Sequence, residues 1–168
     1  MKAGFQQDYP ASPDRLWHVF GQPDYPHRKY AAQGITAYKI VEFDTSEDRI
    51  SLDLERTLSV PVHRIPVLAQ RFVHPEQVLH YISHWRRSDP SRATFDLEIR
   101  ASGLPLHITG VGELLQTGAD SSRLSITFDI HVSVPLIGGK IEKMVAAFIE
   151  KSFHDDHAFT LQYLAEAT

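Results

Sequence analysis

Arg56 is the residue whose type fits its position least. Ile50, Leu52 and Leu54 alternate with Ser51, Asp53, Glu55 and Thr57. At a period of two, Arg56 takes the apolar side. A guanidinium there needs a counter-charge or a bound anion. One answer is internal: a pair with Asp155 or Asp156, or snorkelling at the sheet end. The other is a carboxylate or phosphate anchor at the mouth of a pocket. Ser152, Asp155 and Asp156 raise the same question from the C-terminal segment. At about 100° per residue, Ile141, Met144, Val145, Phe148, Phe159 and Tyr163 share one helical face. Ser152 falls near the centre of that stripe, with the two aspartates towards its edges. Either the helix bends near Ser152, as the off-stripe Phe153, Leu161 and Leu164 suggest, or part of its inner face meets water or a ligand. Gly110 and Gly112 share the parity of Leu106, Ile108 and Leu114. They permit close approach of the helix or a bulge, or they leave room for a ligand.

Other chemistry is poorly supported. Ten histidines are present and no cysteine, so disulfides, thiol catalysis and Cys-based zinc sites are excluded. His80 and His84 share strand parity, and His154 and His157 are three apart on the helix. No carboxylate-histidine motif accompanies the first pair, and the second points away from the apolar stripe, so no metal or cofactor is expected. Ser152, Asp156 and a histidine could be drawn as a triad, but no nucleophile elbow supports it. No catalytic residue is assigned. Tyr81, Trp85 and His107 have outward or ambiguous parity and read as sheet-surface or rim residues.

The elements that must position these residues follow from local signals. Residues 3–9 alternate as a strand. Ser12 and Pro13 cap and open a short helix through Phe20. A second short helix runs from about Pro23 to Ala31, with Gly34 as its stop. Alternating segments at 35–44, 49–58, 76–87, 92–102, 104–117 and 122–134 are joined by polar or glycine turns, as antiparallel strands require. Between the second and third of these lies SVPVHRIPVLAQRFVHP, residues 59–75. It is too apolar for a solvated loop and too rich in proline for a strand. A short helix from near Pro66 is expected, inside a flap that either seals the core or gates a pocket. Gly138 and Gly139 give a turn before a final helix from Lys140 to about residue 165.

Composition bounds the class. The 168 residues fit one domain, 1–168, with one core. Hydrophobic residues make up 42% and charged residues 23%, ordinary for a globular chain. A net charge of −4 argues against a nucleic-acid footprint. No apolar run is long enough for a transmembrane helix, and the N-terminus lacks an apolar signal core. A cytoplasmic location is expected.

The order is strand, two short helices, six antiparallel strands and a long helix. This resembles the helix-grip fold of the START-like (SRPBCC) superfamily, which includes lipid-transfer domains, polyketide cyclases and plant pathogenesis-related proteins. The matching stretches are DYPASPDRLWHVF (8–20), YPHRKYAAQG (25–34) and VPLIGGKIEKMV (134–145). The local sequence is closest to a bacterial family of unknown function within that superfamily. The resemblance implies an α+β fold: a seven-stranded antiparallel sheet wrapped around the C-terminal helix, with two short helices after the first strand. It also implies a cavity between sheet and helix, which in relatives takes sterols, phospholipids, polyketides or plant hormones. The expectation is a binder of a hydrophobic or amphipathic small molecule, lipid or polyketide-like. Its acidic head would meet Arg56. Its body would lie under Val62, Ile65, Leu68 and Phe72, with Phe148, Ser152, Asp155 and Asp156 in the roof and Gly110 and Gly112 supplying room. Two alternatives stay open: a cofactor-free enzyme of cyclase or hydratase type in the same cavity, and an interaction module whose cavity has collapsed. Ligand identity and oligomeric state stay open as well.

Overall fold

Ser12 starts the first helix as its type predicts: its Oγ accepts from the Arg15 backbone N–H at 3.2 Å, and Pro13 takes the first helical position. The computed structural model describes residues 1–71 and 73–167. Strand β1 (Lys2–Tyr9) is followed by helices α1 (Pro13–Phe20) and α2 (Tyr25–Ala32). Gly34, with φ of 68°, supplies the left-handed residue that turns the chain away from α2. The strands β2 (Tyr38–Thr45), β3 (Arg49–Ser59), β4 (Glu76–Asp89), β5 (Arg92–Ala101), β6 (Leu106–Gly118) and β7 (Ser121–Val132) then form an antiparallel meander. The chain closes with α4 (Gly138–Glu166).

The sheet order is β1-β7-β6-β5-β4-β3-β2. Among the described residues only β1 pairs with a strand distant in sequence: it lies antiparallel to β7, with Lys2 opposite Asp129 and Tyr9 opposite Ser122. The inner face is the one the alternation of β5 and β7 announces. Phe95 and Leu97 are buried on β5, and Leu124, Ile126, Phe128 and Ile130 on β7. The helix-grip fold expected from the order of elements is therefore the fold observed.

Helix α4 has 29 residues, a length of about 44 Å at 1.5 Å per residue. It begins two residues earlier than the glycine pair suggests. Gly138 and Gly139 are its first residues, and Leu136, with φ of 68°, makes the turn. Gly138 is required there by proximity, because a Cβ would lie 2.6 Å from the Val132 carbonyl oxygen. Glu142, the fifth residue of the helix, accepts from the Val132 N–H at 3.1 Å and lies 3.5 Å from the N-terminal ammonium. This ties the helix start to β7 and β1.

The flap between β3 and β4 contains a 3-10 turn (Val62–Arg64) and the short helix α3 (Val67–Gln70), the latter where Pro66 predicts it. Its ends are pinned by the Val60 N–H, which donates to the Pro75 carbonyl at 2.8 Å. Ile65 is buried under it.

Candidate functional site

Between the concave sheet face and α4 lies a cavity of about 520 Å³. One stripe of the helix roofs it: Ile141, Val145, Ile149, Ser152, Asp156 and Thr160. These positions recur every three or four residues on one uninterrupted helix, so the polar trio belongs to the cavity roof and no bend is needed to explain it. The floor is mostly apolar. Ile50, Leu52, Leu54 and Leu58 of β3 line it, with Phe95 and Leu97 of β5. Trp85 stacks on Phe95 with centroids 4.1 Å apart and planes 16° from parallel. The volume contradicts the collapsed-cavity alternative.

The polar part of the wall is built by α2 facing α4. Lys29 and Gln33, one helical turn apart, both reach Asp156. Lys29 Nζ donates to Oδ2 at 2.9 Å and Gln33 Nε2 to Oδ1 at 2.7 Å. Beside them Thr160 Oγ1 donates to the Asp156 carbonyl at 2.7 Å. Its one proton is thereby used, so the contact of 2.7 Å to the Tyr25 hydroxyl has the phenol as donor. Gln7 Nε2 donates to the Phe153 carbonyl at 2.6 Å and takes the Tyr9 hydroxyl on its Oε1 at 3.1 Å.

Burial and charge set the protonation states. Burial is the largest single influence on Lys29 and pushes it down, but the Asp156 carboxylate and the nearby phenols together outweigh it, and the ammonium is held charged well above its ordinary range. Burial pushes the Tyr25 phenol up to about 12, against the pull of Lys29. Burial raises Tyr9, Tyr30 and Tyr81 as well. All four are neutral at physiological pH.

Arg56 lines the cavity, as its parity predicts, but its partner is not an aspartate. Asp156 is taken by Lys29 and Gln33. Asp155 turns outward to Lys151, with Nζ to Oδ2 at 2.6 Å, and is not part of the cavity wall. The Arg56 Nε is buried and has no hydrogen-bond partner among the described residues.

The remaining expected positions divide. Ile65, Phe148 and Ser152 line the cavity; Val62 and Leu68 do not, and Leu68 is largely exposed. Val60, Pro61 and Val73 are the flap residues that face inward instead. Phe72 lies outside the described residues. Gly110 and Gly112 leave no free volume. A Cβ on Gly112 would meet Phe95 Cζ at 2.4 Å and the Ser125 carbonyl oxygen at 2.5 Å, and one on Gly110 would meet Leu97 Cγ at 2.9 Å. The close approach at these glycines comes from the neighbouring strands β5 and β7, not from the helix. Tyr81 and Trp85 point into the cavity, not to the sheet surface. Their register explains it: they sit opposite Leu54 and Ile50 of β3, and antiparallel partners share a face. His107 faces outward, with Nε2 at 2.6 Å from Glu98. Strand parity and the apolar stripe do not single out Lys29, Gln33 or Thr160 as cavity residues. The signal available was the turn spacing of Lys29 with Gln33 and of Asp156 with Thr160.

Comparison with known proteins comes down on the same fold. The sequence matches, over residues 4–164, the family described as protein of unknown function (DUF2505). The chain belongs to that family. Among solved structures it is similar to the protein TTHA0849 from Thermus thermophilus, with a TM-score of 0.60 at 14% identity over 100% of this chain and 99% of that one. It is similar to the Zhui aromatase/cyclase from Streptomyces sp. R1128, with a TM-score of 0.60 at 15% identity over 97% and 92%. A START superfamily protein from Mycobacterium smegmatis gives 0.55 at 14% over 97% and 98%. The fold is START-like. No curated protein matches the sequence. Among the described residues no helix is long and apolar enough to cross a membrane, and no three His, Cys, Asp or Glu side chains cluster as metal ligands.

Proposed function

We propose that this DUF2505 protein binds a hydrophobic or amphipathic small molecule, lipid or polyketide-like, in the cavity between the sheet and α4. The cavity itself carries the reading. Its 520 Å³ falls within the roughly 300–1,000 Å³ typical of small-molecule sites. Protein interiors rarely leave voids much larger than a water, and unfilled apolar walls forfeit dispersion contacts. A ligand restores those contacts. Ile65 and Phe148 are the proposed apolar contacts, with Ser152, Asp156 and Arg56 as the convergent polar ones.

A second reading, a cofactor-free enzyme of cyclase or hydratase type, is favoured by the cluster of Lys29, Asp156, Thr160 and Tyr25. The name of the Streptomyces aromatase/cyclase points the same way. In that case the charged Lys29 would serve as proton donor or electrostatic stabiliser. Binding leads because a base is hard to find. No histidine lines the cavity among the described residues, and its one carboxylate is committed to Lys29 and Gln33.

The test is titration with Nile red, a neutral apolar dye, of wild type and of Val145→Trp, which puts an indole into the roof. The expected result is one saturable site in wild type, lost in a variant that still melts cooperatively. Absence of saturable binding to folded wild-type protein would overturn the reading.

A further inference from the structure

We infer that the ligand is a monoanionic amphiphile whose acidic head docks on Arg56 while its apolar body runs along β3 toward Trp85 and Phe95. This rests on the reading of the cavity as a small-molecule site. Three charged side chains line that cavity among the described residues: Lys29, Arg56 and Asp156. Lys29 and Asp156 neutralise each other across 2.9 Å. The wall is left with one uncompensated positive charge, on the side chain whose Nε is buried and unpartnered.

Among the described residues the acidic groups next to it in sequence and on the helix are turned elsewhere. Asp53 and Glu55 have the opposite strand parity, and Glu55 lies 3.5 Å from His80 Nδ1 on the outer face. Asp155 is engaged by Lys151. A buried Nε left without a partner is unfavourable, and a planar oxyanion matches the guanidinium fork. One bound negative charge makes the wall electroneutral, and a dianion would overshoot.

The position of Arg56 defines the rest of the ligand. It stands three residues before the end of β3, beside the flap residues Val60 and Pro61 that also line the cavity. On the same face follow Leu54, Leu52 and Ile50, a strand distance of about 20 Å from Arg56 at roughly 3.4 Å per residue. A head at Arg56 therefore has an apolar track leading away from the flap.

The test compares dodecanoic acid with 1-dodecanol on wild type, Arg56→Met and Arg56→Lys, each by displacement of Nile red. Wild type is expected to bind the acid roughly 10- to 100-fold more tightly than the alcohol, the ratio of one charge-assisted hydrogen bond. Arg56→Met is expected to erase that ratio by weakening the acid alone, and Arg56→Lys to keep part of it. Equal affinity of wild type for acid and alcohol would overturn the inference and leave the small-molecule site standing. Persistence of the ratio in Arg56→Met would overturn it as well. Failure of the dye and both ligands to bind wild type would overturn the underlying reading instead. Should Arg56→Met not fold, the wild-type ratio and Arg56→Lys still decide.

Discussion

Asp156→Asn removes the carboxylate in the cavity roof without changing its shape. The amide oxygen can still accept from Lys29 or from Gln33, which lie 2.9 and 2.7 Å from the carboxylate. It cannot serve both, because the amide nitrogen then faces a donor. Lys29 also loses its counter-charge while only 17% of its side chain is exposed. Breaking a fully buried pair from one side costs about 3–5 kcal/mol. Asp156 retains 40% side-chain exposure, so solvent screens part of the loss and about 1–3 kcal/mol remains. For a chain of this size, at roughly 2–4 °C per kcal/mol, Tm should fall by roughly 2–12 °C. The Lys29 ammonium, with burial no longer opposed, should titrate at lower pH, which NMR of the side-chain Nζ or Cε would read. Lys29→Met combined with Asp156→Leu should recover much of the loss, since paired apolar replacement of a buried ion pair is often neutral. A Tm within about 1 °C of wild type for Asp156→Asn, with single mutants that simply add, would refute the reasoning. The pair would then be an ordinary screened surface contact.

Alkaline pH should unfold the protein early. The folded pKa of Tyr25 is raised to about 12, so above the ordinary phenol value near 10 the folded state holds a proton that the unfolded state has lost. Stability is then full below about pH 10 and falls by about 1.4 kcal/mol per pH unit up to the folded pKa. Tyr9, Tyr30 and Tyr81 add losses of the same sign, and chemical denaturation across pH 9–12 would measure the sum. Gly112→Ala should destabilise by about 1–3 kcal/mol through overpacking, because Phe95 is held by its stack on Trp85 and the Ser125 carbonyl is backbone; thermal melts would show it. Tyr25→Phe removes one buried hydrogen bond to Thr160 and should cost about 1 kcal/mol, while the Thr160 bond to the Asp156 carbonyl survives. Denaturant titration would check that value.

Much of the fold was legible because its signals are local. The alternation of β5 and β7, the Ser12-Pro13 start and the Gly34 stop each report one element. The antiparallel meander then follows from short turns. The inward placement of Arg56 was legible for the same reason, since parity along β3 is unbroken. Its lack of a partner was not, because that depends on where Asp155 and Asp156 go. Neighbours on a helix differ by about 100°, so one of the two faces inward and the other outward, and the partner that takes Asp156 sits 127 positions earlier on α2. On β4, Val78 and Ile82 compete with Leu79 and Tyr81 for the inner face. Only the register against β3 resolves which set turns in. Gly110 and Gly112 could signal either empty space or crowding, and Leu97 and Phe95 on the neighbouring strand make it crowding.

The central claim is that the cavity holds a ligand. Native mass spectrometry of the protein purified from its own host tests it most directly, with Val145→Trp purified in parallel. The account predicts a stoichiometric adduct of one organic acid on wild type, released on activation in negative-ion mode as a singly charged anion and absent from the variant. Bare polypeptide for both proteins, unchanged after incubation with a total lipid extract, would contradict it.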